Sequence, residues 1–200
     1  MNYNAAYRIT LTGLGVVGNA QYITGKVLDV GCGSKPYKHL FPECEWVGLD
    51  IRPVGDIQAD AMSIPVEDDS FDTVLCIDAL QYVLAPQAAM KEMARVVKPG
   101  GHVIVAAPDC TREDSESYFS FRVMGLGAMA EMSGLEIVEL KAGGRIWEYE
   151  FADWATQSVY GIALPQEIQG FIAMLDEELY PQVAVLIGRK KEDGNSQSGS

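Results

Sequence analysis

The residues best suited to bind a ligand lie in the stretch KVLDVGCGSKPY, residues 26–37. An apolar run containing Asp29 leads into a turn with Gly31 and Gly33, and a predicted helix follows the turn. Glycine lets the backbone approach a ligand closely and adopt angles that a β-carbon forbids. The helix N-terminus favours an anionic group through its dipole and its free N–H donors. A carboxylate would suit that position, and Asp29 could take an ammonium.

Two further carboxylates follow at spacings that suit a nucleoside. Asp50 ends the predicted strand EWVGLD, seventeen positions beyond Gly33. An acidic residue at this place accepts hydrogen bonds from paired ribose hydroxyls. Asp60 and Ala61 then precede another predicted strand. Taken singly, each of these residues also suits a structural role, because aspartates and glycines are common in turns and aspartates cap helices.

Taken together, these blocks resemble a known family. Between residues 26 and 108 the chain reads in turn VLDVGCG, GLD, DAMSIPVEDDSFDTV, LQYV and RVVKPGG. This order is similar to that of class I S-adenosylmethionine-dependent methyltransferases, in particular their methyltransferase-11-like, small-molecule branch. The resemblance implies an α/β fold, with a Rossmann-like, doubly wound and mostly parallel sheet of about seven strands. The last strand would run antiparallel.

The resemblance also implies where the methionine part of S-adenosylmethionine would bind. Asp29 and the turn formed by Gly31, Cys32 and Gly33 would hold it. The end of a later strand, at Cys76, would lie beside the same moiety.

The adenosine part would bind further along the same block. Asp50 would hold the ribose, and Ile51 would pack on the adenine. Asp60 would accept from the adenine amino group, while the N–H of Ala61 would meet the ring. No metal ligands are implied.

The chain departs from the family pattern at two positions. Lys35 stands where the third glycine of the glycine-rich motif is expected, and its ammonium would point to solvent or lie near a cofactor carboxylate. Tyr82 replaces the histidine of the LEHV block. A histidine base therefore cannot be assigned there, and the catalytic residue remains open. We interpret His39 and His102, the only histidines, as structural or surface residues.

The acceptor pocket should be formed by segments outside the cofactor block. Residues 109–122 follow a predicted strand and leave from the carboxyl edge of the sheet, where ligands bind. Tyr82, Tyr118 and Arg122 are the candidate substrate-binding residues. Arginine can hold an anionic small molecule by a two-point contact, which lysine cannot match. The alternative is that Arg122 pairs with an acidic side chain on a solvated helix face. The attacking atom stays open between oxygen and nitrogen.

The elements that must position these residues alternate between strands and helices, which is typical of a parallel sheet with crossover helices. Predicted strands cover residues 26–30, 45–49, 73–77, 101–106, 135–140 and 183–188. Predicted helices cover residues 35–41, 85–97, 118–133 and 165–179. We expect one domain over residues 1–189, with a leading segment at 1–25, a substrate-side lid region at 109–163 and a disordered tail at 190–200.

Two other functions compete with this interpretation. Gly13, Gly15 and Gly18 form a GxGxxG pattern typical of dinucleotide-binding oxidoreductases. The next predicted strand follows too soon after Gly18 for a crossover helix, which argues against that function. The departures at Lys35 and Tyr82 favour a second alternative, a protein that binds S-adenosylmethionine in a regulatory or interaction role.

Composition limits the partners. The formal net charge is −13, from 15 Lys and Arg against 28 Asp and Glu. Nucleic-acid binding depends on neutralising phosphates with a positive surface, so DNA and RNA are disfavoured. No apolar run is long enough for a membrane span. The four cysteines lack metal-ligand spacing, and we expect a cytoplasmic protein with reduced thiols. The oligomeric state is not predicted.

Overall fold

Seven strands form one sheet in the computed structural model, which describes residues 19–109, 117–143 and 182–192. They are β1 Lys26–Val30, β2 Glu45–Asp50, β3 Ile57–Gln58, β4 Phe71–Ile77, β5 Val97–Asp109, β6 Leu135–Gly143 and β7 Gln182–Lys190. The spatial order is β3-β2-β1-β4-β5-β7-β6. Strands β1 to β5 run parallel, and β7 lies antiparallel between β5 and β6. The predicted fold class, a mostly parallel sheet with an antiparallel last strand, is confirmed.

Side chains alternate between two apolar layers along the central strands. In β4, Val74 and Cys76 face one layer, whereas Leu75 and Ile77 face the other. This period of two is expected for a sheet covered on both faces. Helices α1 (Pro86–Val96) and α2 (Val123–Met132) cover the first layer. Buried residues outside the sheet, among them Ile23, Tyr37 and Phe41, contribute to the second.

Two predicted helices are shorter in the structure. Residues 35–41 contain only a 3-10 turn, Lys38–Leu40. The residue before a proline is disfavoured in helical geometry, and Lys35, which precedes Pro36, has a left-handed φ of 55°. The prediction of a helix there was wrong in extent.

The helix predicted over 118–133 begins only at Val123. The N–H groups of Tyr118 and Phe119 instead donate to the carbonyl oxygen of Gln81, and that of Phe121 donates to Pro108. These distant acceptors satisfy the backbone, so the segment does not need helical hydrogen bonds. The predicted helix at 165–179 and the GxGxxG segment at 13–18 lie outside the described residues.

The connection between β2 and β3 is a short loop, residues 51–56, without a crossover helix. The loop folds back on β2, because Asp56 donates its N–H to the Gly48 oxygen and accepts the Gly48 N–H at its carboxylate, each over 2.7 Å. A β-carbon at Gly55 would lie 2.8 Å from the Gly48 oxygen, so the close approach requires glycine. Strand β3 was not among the predicted strands, since two residues carry no readable hydrophobic pattern.

The carboxyl-terminal boundary also differs. Lys190, expected to begin a disordered tail, is the last residue of β7, and its ammonium contacts Asp69 and the Arg95 carbonyl oxygen. Among the described residues, no helix has the length and apolar character needed to cross a membrane.

Candidate ligand-binding site

The glycine-rich turn after β1 is fastened to the end of β2. The N–H groups of Gly31 and Cys32 both donate to the Leu49 oxygen, over 2.7 and 3.0 Å. Gly31 has a left-handed φ of 73°, and a β-carbon there would lie 2.3 Å from that of Ala79. Both observations require glycine at this position. The turn therefore passes close to the end of β4 without a side chain between them.

The Asp50 carboxylate, at the carboxyl end of β2, receives four hydrogen bonds. Its Oδ2 accepts the Gly33 N–H over 3.0 Å and the Arg52 Nη2 over 3.2 Å. Its Oδ1 accepts the N–H of Arg52 over 2.9 Å and its Nε over 3.1 Å. Burial alone would raise the pKa of this carboxyl, but the donors from Arg52 and Gly33 outweigh burial and hold the pKa below its usual range. Asp50 is therefore an ionised acceptor next to the glycine-rich turn.

Asp29 lies deeper than Asp50. Asp29 is only 3% exposed, and one of its carboxyl oxygens accepts the indole N–H of Trp46 over 3.2 Å. Burial raises its pKa to about 7, against a smaller lowering from the Trp46 hydrogen bond and from the charge of Lys35. The structure thus places Asp29 under the turn, with Trp46 as its direct partner.

Lys35 bridges the glycine-rich turn and the 51–56 loop. Its backbone adopts the left-handed conformation expected of the glycine that it replaces. Its ammonium lies 2.6 Å from an Asp56 carboxylate oxygen. The Gly48 N–H and this ammonium lower the pKa of Asp56. Neither of the two orientations expected from the sequence, toward solvent or toward a cofactor carboxylate, describes this ion pair.

The candidate adenosine residues lie beside Asp50 at the same edge. Ile51 is 67% exposed, so an apolar surface is available next to the carboxylate. Asp60 is half-buried and follows β3, and its carboxylate accepts the Met62 N–H over 2.9 Å. Ala61 is half-buried and packs against the first apolar layer. Because β2 and β3 are parallel neighbours, the structure brings Asp50, Ile51, Asp60 and Ala61 to one edge of the sheet.

The two candidate cysteines are buried. Cys76 lies in the first apolar layer, and Cys32 contacts the position of Gly48. Burial raises the pKa of each thiol to about 12. Both are therefore neutral thiols, and neither side chain is exposed to a ligand.

The end of β4 carries a pair of residues that sequence reasoning did not single out. Asp78 has a left-handed φ of 52°, and its N–H donates to the Ala106 oxygen over 2.9 Å. The fully buried Gln81 donates from Nε2 to the Asp78 carbonyl oxygen and to its carboxylate, over 3.1 and 2.7 Å. Gln81 stands at the second position of the LQYV block, and this block is the sequence signal that points to it.

The candidate acceptor residues adjoin this pair. Tyr82 and Tyr118 are exposed, and the Tyr118 N–H donates to the Gln81 oxygen over 2.8 Å. Arg122 is exposed just before α2. All three follow the carboxyl ends of β4 or β5.

His102 lies near the start of the parallel ladder, opposite Thr73, with its ring 5.0 Å from that of Tyr22. Within the described ranges, no cluster of His, Cys, Asp or Glu could hold a metal ion.

Comparison with known proteins identifies relatives for this block. Residues 28–105 match the family described as "Methyltransferase domain". The chain is 32% identical over 102 residues to a tRNA (carboxymethyluridine(34)-5-O)-methyltransferase of Arabidopsis thaliana, a match covering 44% of this chain and 25% of that protein. It is 46% identical over 97 residues to a demethylmenaquinone methyltransferase of Renibacterium salmoninarum, covering 40% of each. The matches thus span well under half the length of these curated relatives.

Solved structures share the fold over most of the chain. The [4+2]-cyclase SpnF has a TM-score of 0.64 at 21% identity, covering 92% of this chain and 82% of that one. Phosphoethanolamine N-methyltransferase 2 of Haemonchus contortus, in complex with S-adenosyl-L-methionine, has a TM-score of 0.59 at 14% identity, covering 95% and 53%. At these identities the likeness establishes the fold.

Proposed function

We propose that this chain, whose residues 28–105 match the methyltransferase-domain family, transfers a methyl group from S-adenosylmethionine to a small-molecule acceptor. The observation that carries the proposal is the contact of the Gly33 N–H with the Asp50 carboxylate. This contact joins a glycine-rich turn and an ionised acceptor at the carboxyl edge of a parallel sheet, where ligands bind in open α/β folds.

The residues at this edge suit the adenosine part of the cofactor. Asp50 is an ionised acceptor for a ribose diol, and the exposed Ile51 offers an apolar surface for the adenine. Asp60 follows β3 as a further acceptor for the adenine amino group, with the Ala61 N–H beside it. These four residues follow two neighbouring strand ends, which supports their assignment to one nucleoside.

We infer that backbone groups, more than side chains, bind the methionine part of S-adenosylmethionine. The N–H groups of Gly31, Cys32 and Gly33 already donate to Leu49 and Asp50, so the turn offers its carbonyl groups, and the strand end at Cys76 offers its carbonyl edge. Asp29 is buried and accepts the indole N–H of Trp46, so we assign it the role of holding Trp46 in place. This differs from the direct ammonium contact that the sequence suggested.

When bound, S-adenosylmethionine supplies a methyl group on a sulfonium, which is already a strong electrophile. The chain's own tasks are to hold the acceptor in line at near-attack distance and to keep water out. An acidic acceptor such as a phenol needs little help, whereas a neutral hydroxyl needs a positioned base. No side chain is assigned as that base, because Tyr82 stands where the family has histidine.

The acceptor site is proposed at Tyr82, Tyr118 and Arg122. The backbone contact from Tyr118 to Gln81 fastens this segment beside the end of β4, next to the glycine-rich turn. One relative acts on tRNA by name, but a net charge of −13 opposes phosphate binding and supports a small molecule. Arg122 would hold an anionic group of that molecule.

A second candidate is a protein that binds the cofactor without transferring the methyl group. It is supported by the replacements at Lys35 and Tyr82. The test is production of S-adenosylhomocysteine from S-adenosylmethionine over a panel of phenols, amines, carboxylates, hydroxyquinones and tRNA. Turnover with a small molecule supports the first function, and turnover with tRNA alone overturns the small-molecule acceptor. Binding without turnover across the panel favours the second function.

Calorimetry separates both candidates from the oxidoreductase alternative. We expect S-adenosylmethionine and S-adenosylhomocysteine to bind and NAD not to bind. Binding of NAD alone would overturn the proposal.

A further inference from the structure

The Asp50 carboxylate is fully occupied by donors from within the chain. An ionised carboxylate offers about four lone-pair sites. Two are met by backbone N–H groups, those of Gly33 and Arg52, and two by the Arg52 guanidinium through Nε and Nη2. No site is left for the two hydroxyls of a ribose.

We propose that the Arg52 side chain occupies the position of the ribose diol in the ligand-free protein, and that a nucleoside ligand must displace it. This inference rests on the proposed function, which assigns the ribose to Asp50. The guanidinium presents two parallel N–H donors, one to each oxygen of Asp50. A vicinal diol presents two O–H donors to the same two atoms, so the two groups exclude one another.

The contrast in exposure shows which partner moves. The Arg52 side chain is 66% exposed, whereas that of Asp50 is 5% exposed. Arg52 can therefore turn into solvent and keep its hydration, but Asp50 cannot leave the sheet. The backbone contacts remain when the side chain departs, because the 51–56 loop is fastened to Gly48 by Asp56.

The displacement opposes ligand binding by the net strength of one ion pair, in which the guanidinium is exposed and the carboxylate is buried. The exposed guanidinium is hydrated and its charge is screened by salt, so this net strength is modest. Arg52 thus lowers affinity modestly, and it makes affinity rise with ionic strength. It also keeps a buried, ionised carboxylate partnered until a ligand arrives.

The test compares the wild type with R52M and R189M, using S-adenosylhomocysteine as the titrant in calorimetry. Methionine keeps the unbranched apolar stem of arginine and removes the guanidinium. Arg189 is the matched control, because its exposed guanidinium lies 3.0 Å from Glu136 on β6, in a pair that does not involve the candidate site.

We expect R52M to bind about two- to five-fold more tightly than the wild type at 50 mM NaCl, and the gap to narrow at 500 mM. R189M should match the wild type at both concentrations. Equal affinity of R52M and the wild type, or weaker binding by R52M, would overturn the inference while leaving the proposed function standing. Failure of all three proteins to bind S-adenosylhomocysteine would overturn the proposed function itself.

Discussion

The Gly33 N–H donates to Asp50 Oδ2 over 3.0 Å and joins the turn after β1 to the carboxyl end of β2. These residues flank the position where we propose that a nucleoside ligand spans two strand ends. The contact fixes the distance between the two halves of such a ligand site before any ligand binds. Substitutions at either side should therefore change binding more than they change the fold.

Substitution at Gly31 tests the close packing of the turn against β4. In Gly31→Ala the new β-carbon would have a left-handed φ and would meet the Ala79 β-carbon at 2.3 Å. We expect the free energy of unfolding to fall by about 2–4 kcal/mol, measured by urea denaturation. The matched control is Gly125→Ala in α2. An added β-carbon there would meet no atom within 4 Å beyond its chain neighbours and the backbone of its own helix. It should raise stability by about 0.5–1 kcal/mol, and equal effects of the two changes would contradict the packing described.

Asp29 should make stability depend on pH. Its pKa is 3.8 in the reference state and about 7 in the folded chain, so the folded chain holds a proton that the unfolded chain releases. Folding stability contributed by this group therefore decreases as the pH rises through that window. Asp29→Asn removes the titration and keeps an oxygen for Trp46.

The stability advantage of Asp29→Asn over the wild type should grow by about 2 kcal/mol between pH 5.5 and pH 8.5. Urea denaturation at both pH values measures it. An advantage that stays constant across this range would show that Asp29 is ionised in the folded chain throughout.

Gln81 should stabilise the end of β4 by holding Asp78. Gln81→Leu removes the Nε2 donor of the half-buried Asp78 carbonyl and carboxylate and places an apolar side chain there. The expected loss is about 1–3 kcal/mol of unfolding free energy. Gln58→Leu is the control, because Gln58 is exposed and makes one hydrogen bond to the Ile51 oxygen. Its effect should stay within about 0.5 kcal/mol. Similar losses of unfolding free energy in both variants would show that Gln81 has no particular role in stabilising the end of β4.

Arg122 should act on the acceptor and leave the cofactor unaffected. With an acceptor identified from the panel, Arg122→Ala is expected to raise the acceptor KM by about ten-fold, since the lost contact is a hydrogen bond to a charged group. The affinity for S-adenosylhomocysteine should not change. Wild-type kinetics would show that Arg122 is an exposed residue before α2 with no part in acceptor binding.

The sheet could be predicted because its signal is local. Runs such as VLDV and VIVAA are rich in β-branched residues and are separated by turn residues. The predicted bounds of six of the seven strands therefore agree with the structure to within a few residues. The short strand β3 could not be found, since its pairing depends on the fold of the 51–56 loop against β2. The helix predicted over 35–41 is too long because Pro36 disfavours helical geometry at Lys35.

The sequence predicts which residues gather at the candidate site better than it predicts the contacts among them. The residues of the block lie at one edge, as expected from parallel strand ends. The burial of Asp29 against Trp46 arises from neighbouring strands, and the ion pair of Lys35 with Asp56 joins a turn to a loop. No local sequence pattern encodes either contact. Arg52 and Asp50 are close in sequence, but their pairing depends on the same loop.

The most direct test of the account is calorimetry of S-adenosylhomocysteine with the wild type and Asp50→Ala. The wild type should bind, and the variant should bind more weakly by about 1.5–3 kcal/mol, the range for hydrogen bonds to a charged group. Circular dichroism should show the fold intact, and Asp69→Ala, at an exposed position with its own lysine partner, should bind as the wild type does. Unchanged affinity of a folded Asp50→Ala variant would contradict the placement of the ribose on Asp50, and with it the central claim.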